Sequence, residues 1–290
     1  DGASLTIQPG LVVRMTQHGG LDARGTLTAV GTSAAPITFT GTTQQPGWWE
    51  NISINGLAGS QNTTSRIEYA VLEYGGEANG ALYLYESTVP VRNVTIRHSG
   101  GDGIYGGNRG TSHIGYVTFA NNVGYAVRFT DGSVNPEVEG IVATGNGYNG
   151  VAFSGGTLVG KHVWENGGVP YAVLGDVMLA SGSDLHIEPG VILEFAKFAG
   201  LDIRGRLLAV GTKSEPILFT SAVKERGAWS GIIIQGAAGY PNLGSIIKHA
   251  TVEYGGYSTA NIYLYEASAQ ISHTVVRESA KDGIHASTGS

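Results

Sequence analysis

The chain has 290 residues, 46 of them glycine, no cysteine, 14% charged residues and a formal charge of −6. Glycine stands at more than twice its usual share of about 7%, yet 41% of the residues are hydrophobic and no Gly-X-Y period runs through the chain, so collagen and disorder are excluded. Without cysteine there are no disulfides, thiolate metal sites or thiol nucleophiles; 17 scattered basic residues against 23 acidic ones leave no footprint for nucleic acid, and no run of 18 apolar residues offers a membrane span.

Short apolar alternations follow one another along the chain: Leu5/Ile7, Leu21/Ala23, Ile37/Phe39, Ile52/Ile54, Val71, Val94/Ile96, Val117/Phe119, Val142 and Val163. Each is rich in β-branched residues and is bounded by Gly, Asn, Asp or Pro, the signature of strands. No stretch carries a capped apolar stripe of period 3.6, so helix is not expected. Side chains alternate along a strand, which assigns Leu5, Ile7, Ile37, Phe39, Ile52 and Ile54 to the interior and Thr6, Thr38 and Ser53 to the outside. Pro9-Gly10 and Pro189-Gly190 pair a fixed φ with a residue free to turn the chain.

Two periods organise these strands. Leu5-Thr6-Ile7-Gln8-Pro9-Gly10 returns as Leu185-His186-Ile187-Glu188-Pro189-Gly190, and Leu21-Asp22-Ala23-Arg24-Gly25 as Leu201-Asp202-Ile203-Arg204-Gly205. The same offset of 180 carries Tyr83-Leu84-Tyr85-Glu86 onto Tyr263-Leu264-Tyr265-Glu266 and Asp102-Gly103-Ile104 onto Asp282-Gly283-Ile284. Residues 1–110 are thus a duplicate of 181–290, with 111–180 as intervening coils and the whole read as a single solenoid. Because the second copy ends at the equivalent of Gly110, the chain is expected to be a piece of a longer protein whose further coils cover its edges. Inside the large period, strand, polar turn, Gly and strand recur from Val94 to Val173, with Asn121, Asn146 and Asn166 in matching turns. Stacked amides at one turn position suit a parallel coil. The expected fold is an all-β right-handed parallel β-helix of roughly thirteen coils of about 22 residues.

The strings from Leu185 to Phe195, Gly200 to Thr212, Pro216 to Ser221 and Ala250 to Gly256 resemble the right-handed parallel β-helix repeats of bacterial secreted and cell-surface proteins, the fold of pectate lyases, polygalacturonases, tailspikes and adhesin-like proteins. The resemblance implies an extracellular or cell-surface location and raises polysaccharide cleavage as an activity. That activity requires clustered carboxylates. The chain contains no Asp-Asp pair and no Gly-His-Gly, and its eight aspartates are scattered. Asp22 with Arg24 and Asp202 with Arg204 read as surface ion pairs. Histidine spacing suggests no transition-metal site, Asp102-Gly103 reads as a turn, and no cofactor or catalytic residue is assigned.

The most informative constellation is Glu73, Tyr74, Tyr83, Tyr85 and Glu86, repeated as Glu253, Tyr254, Tyr263, Tyr265 and Glu266. Tyrosines at i and i+2 share a strand face, and their rings with neighbouring carboxylates suit a sugar. The same tyrosines also fit a rigid stack of coil on coil. Trp48-Trp49, of which only one position is kept as Trp229, suits a loop tucked onto the coil. The expected function is a non-catalytic stalk or adhesive segment of a larger surface protein, contacting a polysaccharide or cell-surface glycan. The alternative is a lyase or glycoside hydrolase acting on an acidic polysaccharide.

Overall fold

The computed structural model describes residues 2–57, 59–107, 109, 111–130, 137–236 and 242–288. They form 34 strands and no helix, as the period of two requires. The chain divides into two compact units, Asp1–Ala152 with Gly167–Val169, and Phe153–Asn166 with Pro170–Ser290. In the first unit, strands visit three sheets in strict rotation: Ser4–Ile7, Val12–Met15 and Leu21–Ala23 make one turn, and Thr26–Val30, Ile37–Gly41 and Ile52–Asn55 the next. Each strand pairs in parallel with the strand three places on, as Leu5 with Leu27 and Thr88 with Thr111. This is a parallel β-solenoid with six turns in the first unit and five in the second. The sum is eleven rather than thirteen, because some turns are longer than 22 residues. Thr28, for example, pairs with Arg66, 38 residues on, since the connections after Gly41 and Asn55 are long.

The core is a set of columns, one residue per turn. In the first unit Ala29, Ile67, Val91, Ile114 and Val138 are in register, as are Phe39, Leu72, Ile96 and Phe119, all buried. The second unit repeats the device with Leu179, Ile203, Ile234 and Leu264. Each buried Leu, Ile or Phe contributes about 1.5–3 kcal/mol relative to exposure, so the solenoid gains stability turn by turn. Ile7, Ile37, Phe39, Ile52 and Ile54 lie inside as expected, but Leu5 is 48% exposed, because its strand pairs on one side alone among the described residues.

Corners are built by residues in the left-handed region. Tyr69, Asn93 and Tyr116 stand one turn apart with φ near +50°, and each donates its N–H to a carbonyl of the next turn, Arg92, Gly115 and Glu139, at 2.8–3.0 Å. A second corner stacks Tyr74, His98 and Asn121 in the same conformation, donating to Arg97, Ala120 and Thr144. A side chain in this region costs roughly 1–2 kcal/mol, offset here by a repeated backbone bond. The amide ladder therefore differs from the sequence expectation. Asn121 is a corner residue, and it is Asn122 that donates to Asn146 Oδ1 at 2.8 Å and accepts from the Ser99 N–H at 2.9 Å. Asn166 bonds elsewhere, its Nδ2 donating to the Pro189 carbonyl.

The strands of residues 4–107 recur at the same 180 offset between Asp184 and Ser287. Trp49 and Trp229 are fully buried and donate their indole N–H to the carbonyls of Glu73 and Glu253 at 2.9 and 2.8 Å, which pins their loops to the coil.

Candidate functional site

The residues of the tyrosine and carboxylate constellation separate into two kinds. Glu73 is buried, accepting from Thr40 Oγ1 at 2.9 Å and from Arg97 Nε and Nη2 at 2.8 and 2.6 Å. Glu253 repeats this with Thr220 and Arg277, and its carboxylate pushes the Arg277 pKa up by hydrogen bond and charge. Glu86 is 2% exposed and takes a two-pronged bond from Arg109 Nη2 at 3.0 and 2.8 Å. These three carboxylates are buried beneath half-exposed arginines instead of facing solvent. Tyr74 and Tyr254 sit in corners with φ of 65° and 64°; Tyr74 stacks on His98 at 5.3 Å and Tyr254 lies under the Lys224 ammonium. Glu266 is likewise a corner residue with φ of 47°.

Tyr83 and Tyr85 point outward from the third sheet of the first unit, half-buried, and the register builds on them. Ser53, Tyr83, Tyr105 and Arg128 occupy one column on successive turns. Tyr83 packs against Tyr105 at 5.6 Å and Tyr85 at 6.3 Å. The Arg128 guanidinium covers Tyr105 at 5.4 Å and Tyr125 at 5.7 Å, and Tyr125 meets Tyr148 at 5.6 Å. Burial, then the neighbouring phenols Tyr105 and Tyr85, raise the Tyr83 pKa, so this residue presents a hydroxyl and not a phenolate. Sequence reading missed Tyr105, Tyr125, Tyr148 and Arg128. No i, i+2 pairing marks them, and they align only once turn length is known. The second unit has a shorter counterpart, in which Tyr263 pairs with Tyr265 at 6.2 Å and with His285 at 5.4 Å and bonds Ser287 Oγ at 2.9 Å.

Asp102 anchors the strip from below. It opens a strand, 5% exposed, and its Oδ1 accepts the Tyr125 N–H at 2.8 Å. Burial raises its pKa against the opposing pull of that bond and of Arg128, whose Nε lies 3.8 Å from Oδ2. The dipeptide expected to form a turn thus begins a strand, because Asp102 satisfies the backbone of the next turn.

Beside Tyr83 lies a cleft of about 300 Å³ lined by Asp22, Glu50, Asn51, Ser53, Asn55 and Asn79 among others. Asp22 holds Arg24 at 3.0 Å and Asn55 Nδ2 at 2.6 Å; Asp202 and Arg204 pair in the same way at 3.1 Å. Among the described residues no group of three His, Asp or Glu side chains converges to hold a metal ion.

Comparison with known proteins agrees with this architecture. A model of the right-handed β-helix region matches residues 50–206, and one of the pectate-lyase-like β-helix domain matches residues 156–262. Over 67 residues, 23% of the chain, the sequence is 39% identical to Protein bark beetle of Drosophila melanogaster, and the match spans 2% of that protein's length. No solved structure matches. With more than half of its length matched by the model, and with strands that climb in parallel through three sheets, the chain belongs to the right-handed β-helix family.

Proposed function

We propose that the chain is a non-catalytic, extracellular β-helix segment of stalk or adhesive type that contacts carbohydrate along the outward tyrosine strip of its first unit. The observation that carries this reading is the row Tyr83, Tyr105, Tyr125 and Tyr148 held by Arg128. Rings fixed by tilted, packed neighbours lose little entropy when a ligand binds, and each offers an apolar face with a polar tip. A sugar presents the complement, a C–H face and a rim of hydroxyls. The carboxylates that the sequence sets beside these tyrosines as sugar contacts, Glu73, Glu86 and Glu253, are engaged by arginines, which leaves the contact to the rings and supports binding over cleavage.

The pectate-lyase-like match favours a second reading, a lyase or glycoside hydrolase on an acidic polysaccharide. A glycan array paired with an assay of unsaturated or reducing ends released from acidic polysaccharides separates the two. Retention of a glycan without cleavage, weakened about tenfold by Tyr105→Ala, supports the binding segment. Turnover supports the enzyme, and an array without hits together with no turnover removes the carbohydrate reading.

A further inference from the structure

We infer that the cleft beside Tyr83 is a subsite for one neutral hexose unit, its hydroxyls held by Glu50 and Asn79 and its ring face by Tyr83. This rests on the carbohydrate-contacting reading above and names the class of sugar. The cleft of about 300 Å³ falls at the lower end of the roughly 300–1,000 Å³ range of small-molecule sites, a size suited to a single sugar.

Its polar groups fall into a closed set and an open one. Asp22, Ser53 and Asn55 satisfy one another, with Asn55 Nδ2 donating to Asp22 Oδ1 at 2.6 Å and to Ser53 Oγ at 2.7 Å, and Arg24 donates to Asp22 from outside the cleft. That network forms a fixed wall. The Glu50 carboxylate, the Asn79 amide and the Tyr83 hydroxyl line the same cleft without a side-chain hydrogen-bond partner among the described residues. Glu50 is placed by Gly20, where a Cβ would stand 3.2 Å from Glu50 Oε2 and 3.1 Å from the Asn51 carbonyl. Asn79 is held at φ 65° while its carbonyl accepts the Asp102 N–H at 2.7 Å.

A carboxylate accepts from two neighbouring hydroxyls, and an amide both donates and accepts. A sugar carboxylate in the same place would face the charges of Asp22 and Glu50, and the Arg24 guanidinium is already bound to Asp22; like charges that close are repelled. The duplicated unit provides an internal contrast. It keeps Asp202 and Tyr263 but carries Ser230, Ile233 and Thr259 where the first unit has Glu50, Ser53 and Asn79, and Ser230 Oγ is spent on the Phe198 carbonyl at 2.8 Å. The site therefore belongs to the first unit alone.

Titration calorimetry of the full chain with soluble neutral hexose oligomers (gluco-, manno- and galacto-) and with uronate oligomers of equal length tests the assignment, using Glu50→Gln, Asn79→Gly and Tyr263→Leu. Asn79→Gly keeps the left-handed backbone. The expected result is binding of a neutral oligomer, weakened about tenfold or more by Glu50→Gln and by Asn79→Gly and unchanged by Tyr263→Leu. Preference for the uronate oligomers, or neutral binding indifferent to Glu50 and Asn79, overturns this subsite while leaving the carbohydrate reading in place. Binding of no glycan, on the array or in solution, overturns that reading and the subsite with it.

Discussion

Replacing Glu73 by Gln puts the arginine-capped, structural assignment of the shared carboxylates to the test. In the native protein Oε1 accepts from Thr40, and Oε2 accepts two charge-assisted bonds from Arg97 at 2.6 and 2.8 Å. Opposite charges about 3 Å apart attract by about 5 kcal/mol at an effective dielectric constant of about 20. Desolvating the carboxylate opposes this by several kcal/mol. In Glu73→Gln the amide oxygen still accepts from the guanidinium while the NH2 donates to the Thr40 hydroxyl, but the negative charge is gone and both Arg97 bonds cease to be charge-assisted. Arg97 is 46% exposed at its side chain and rehydrates, which limits the net loss to about 2–3 kcal/mol. A solenoid does not unfold in one step, so the measurement is local: native-state hydrogen exchange of the amides of Leu72 and Ile96. They are expected to exchange roughly 30- to 150-fold faster. Glu253→Gln, with the same geometry, is expected to produce a similar change at Val252 and Val276. Exchange within threefold of the parent protein, or weakened glycan binding without faster exchange, would refute the structural assignment.

Asn122→Ala removes the acceptor of the Ser99 N–H and the donor to Ile96 O and Asn146 Oδ1 at a site 1% exposed; native-state hydrogen exchange of the Ile96 and Phe119 amides is expected to show a local loss of about 2–4 kcal/mol. Asn121→Ala, which keeps the corner backbone bond, is expected to lose only about 1 kcal/mol. Gly76 has φ +78°, and a Cβ there would come 2.0 Å from Ser99 Oγ, so Gly76→Ala is expected to destabilise by about 2 kcal/mol or more; an unchanged urea midpoint refutes it. Burial, then His273 and Lys248, lower the His249 pKa from 6.5, and the two rings stack at 4.6 Å. The unfolded chain then binds more protons, so stability is fully present above about pH 6.5 and is lost as pH falls through that value toward the folded pKa. His249→Asn is expected to flatten the dependence of the urea midpoint between pH 7.5 and 5.5, and an equal slope in both proteins refutes the assignment.

The fold was readable because its determinants are local. Ile37/Phe39 and Ile52/Ile54 alternate by two, Pro9-Gly10 and Pro189-Gly190 punctuate the strands, and the 180-residue offset repeats every element from Ser4–Ile7 to Asp102–Gly107 as strands from Asp184–Ile187 to Asp282–Ser287. The number of turns was less readable, since loops that leave the coil lengthen a turn without changing its strands. The site was readable in part. Tyr83 and Tyr85 share a face because they stand two apart, whereas Glu73 and Glu86, equally prominent in the repeat, turn to Arg97 and Arg109 at 24 and 23 residues' distance, a relation no local pattern expresses.

The amino-acid sequence by itself determined the strand period, the corners and the duplication, each set by residues within a few positions of one another. Tertiary structure decided what stands above and below each residue. Whether Asn121 or Asn122 enters the amide ladder, whether Tyr105 and Arg128 continue the column begun by Tyr83, and whether Glu50 meets Asn79 in one cleft all depend on the length of each turn. A shift of a single residue exchanges the inside of a strand for its outside, so a surface built across turns exists only when every turn beneath it has closed in register.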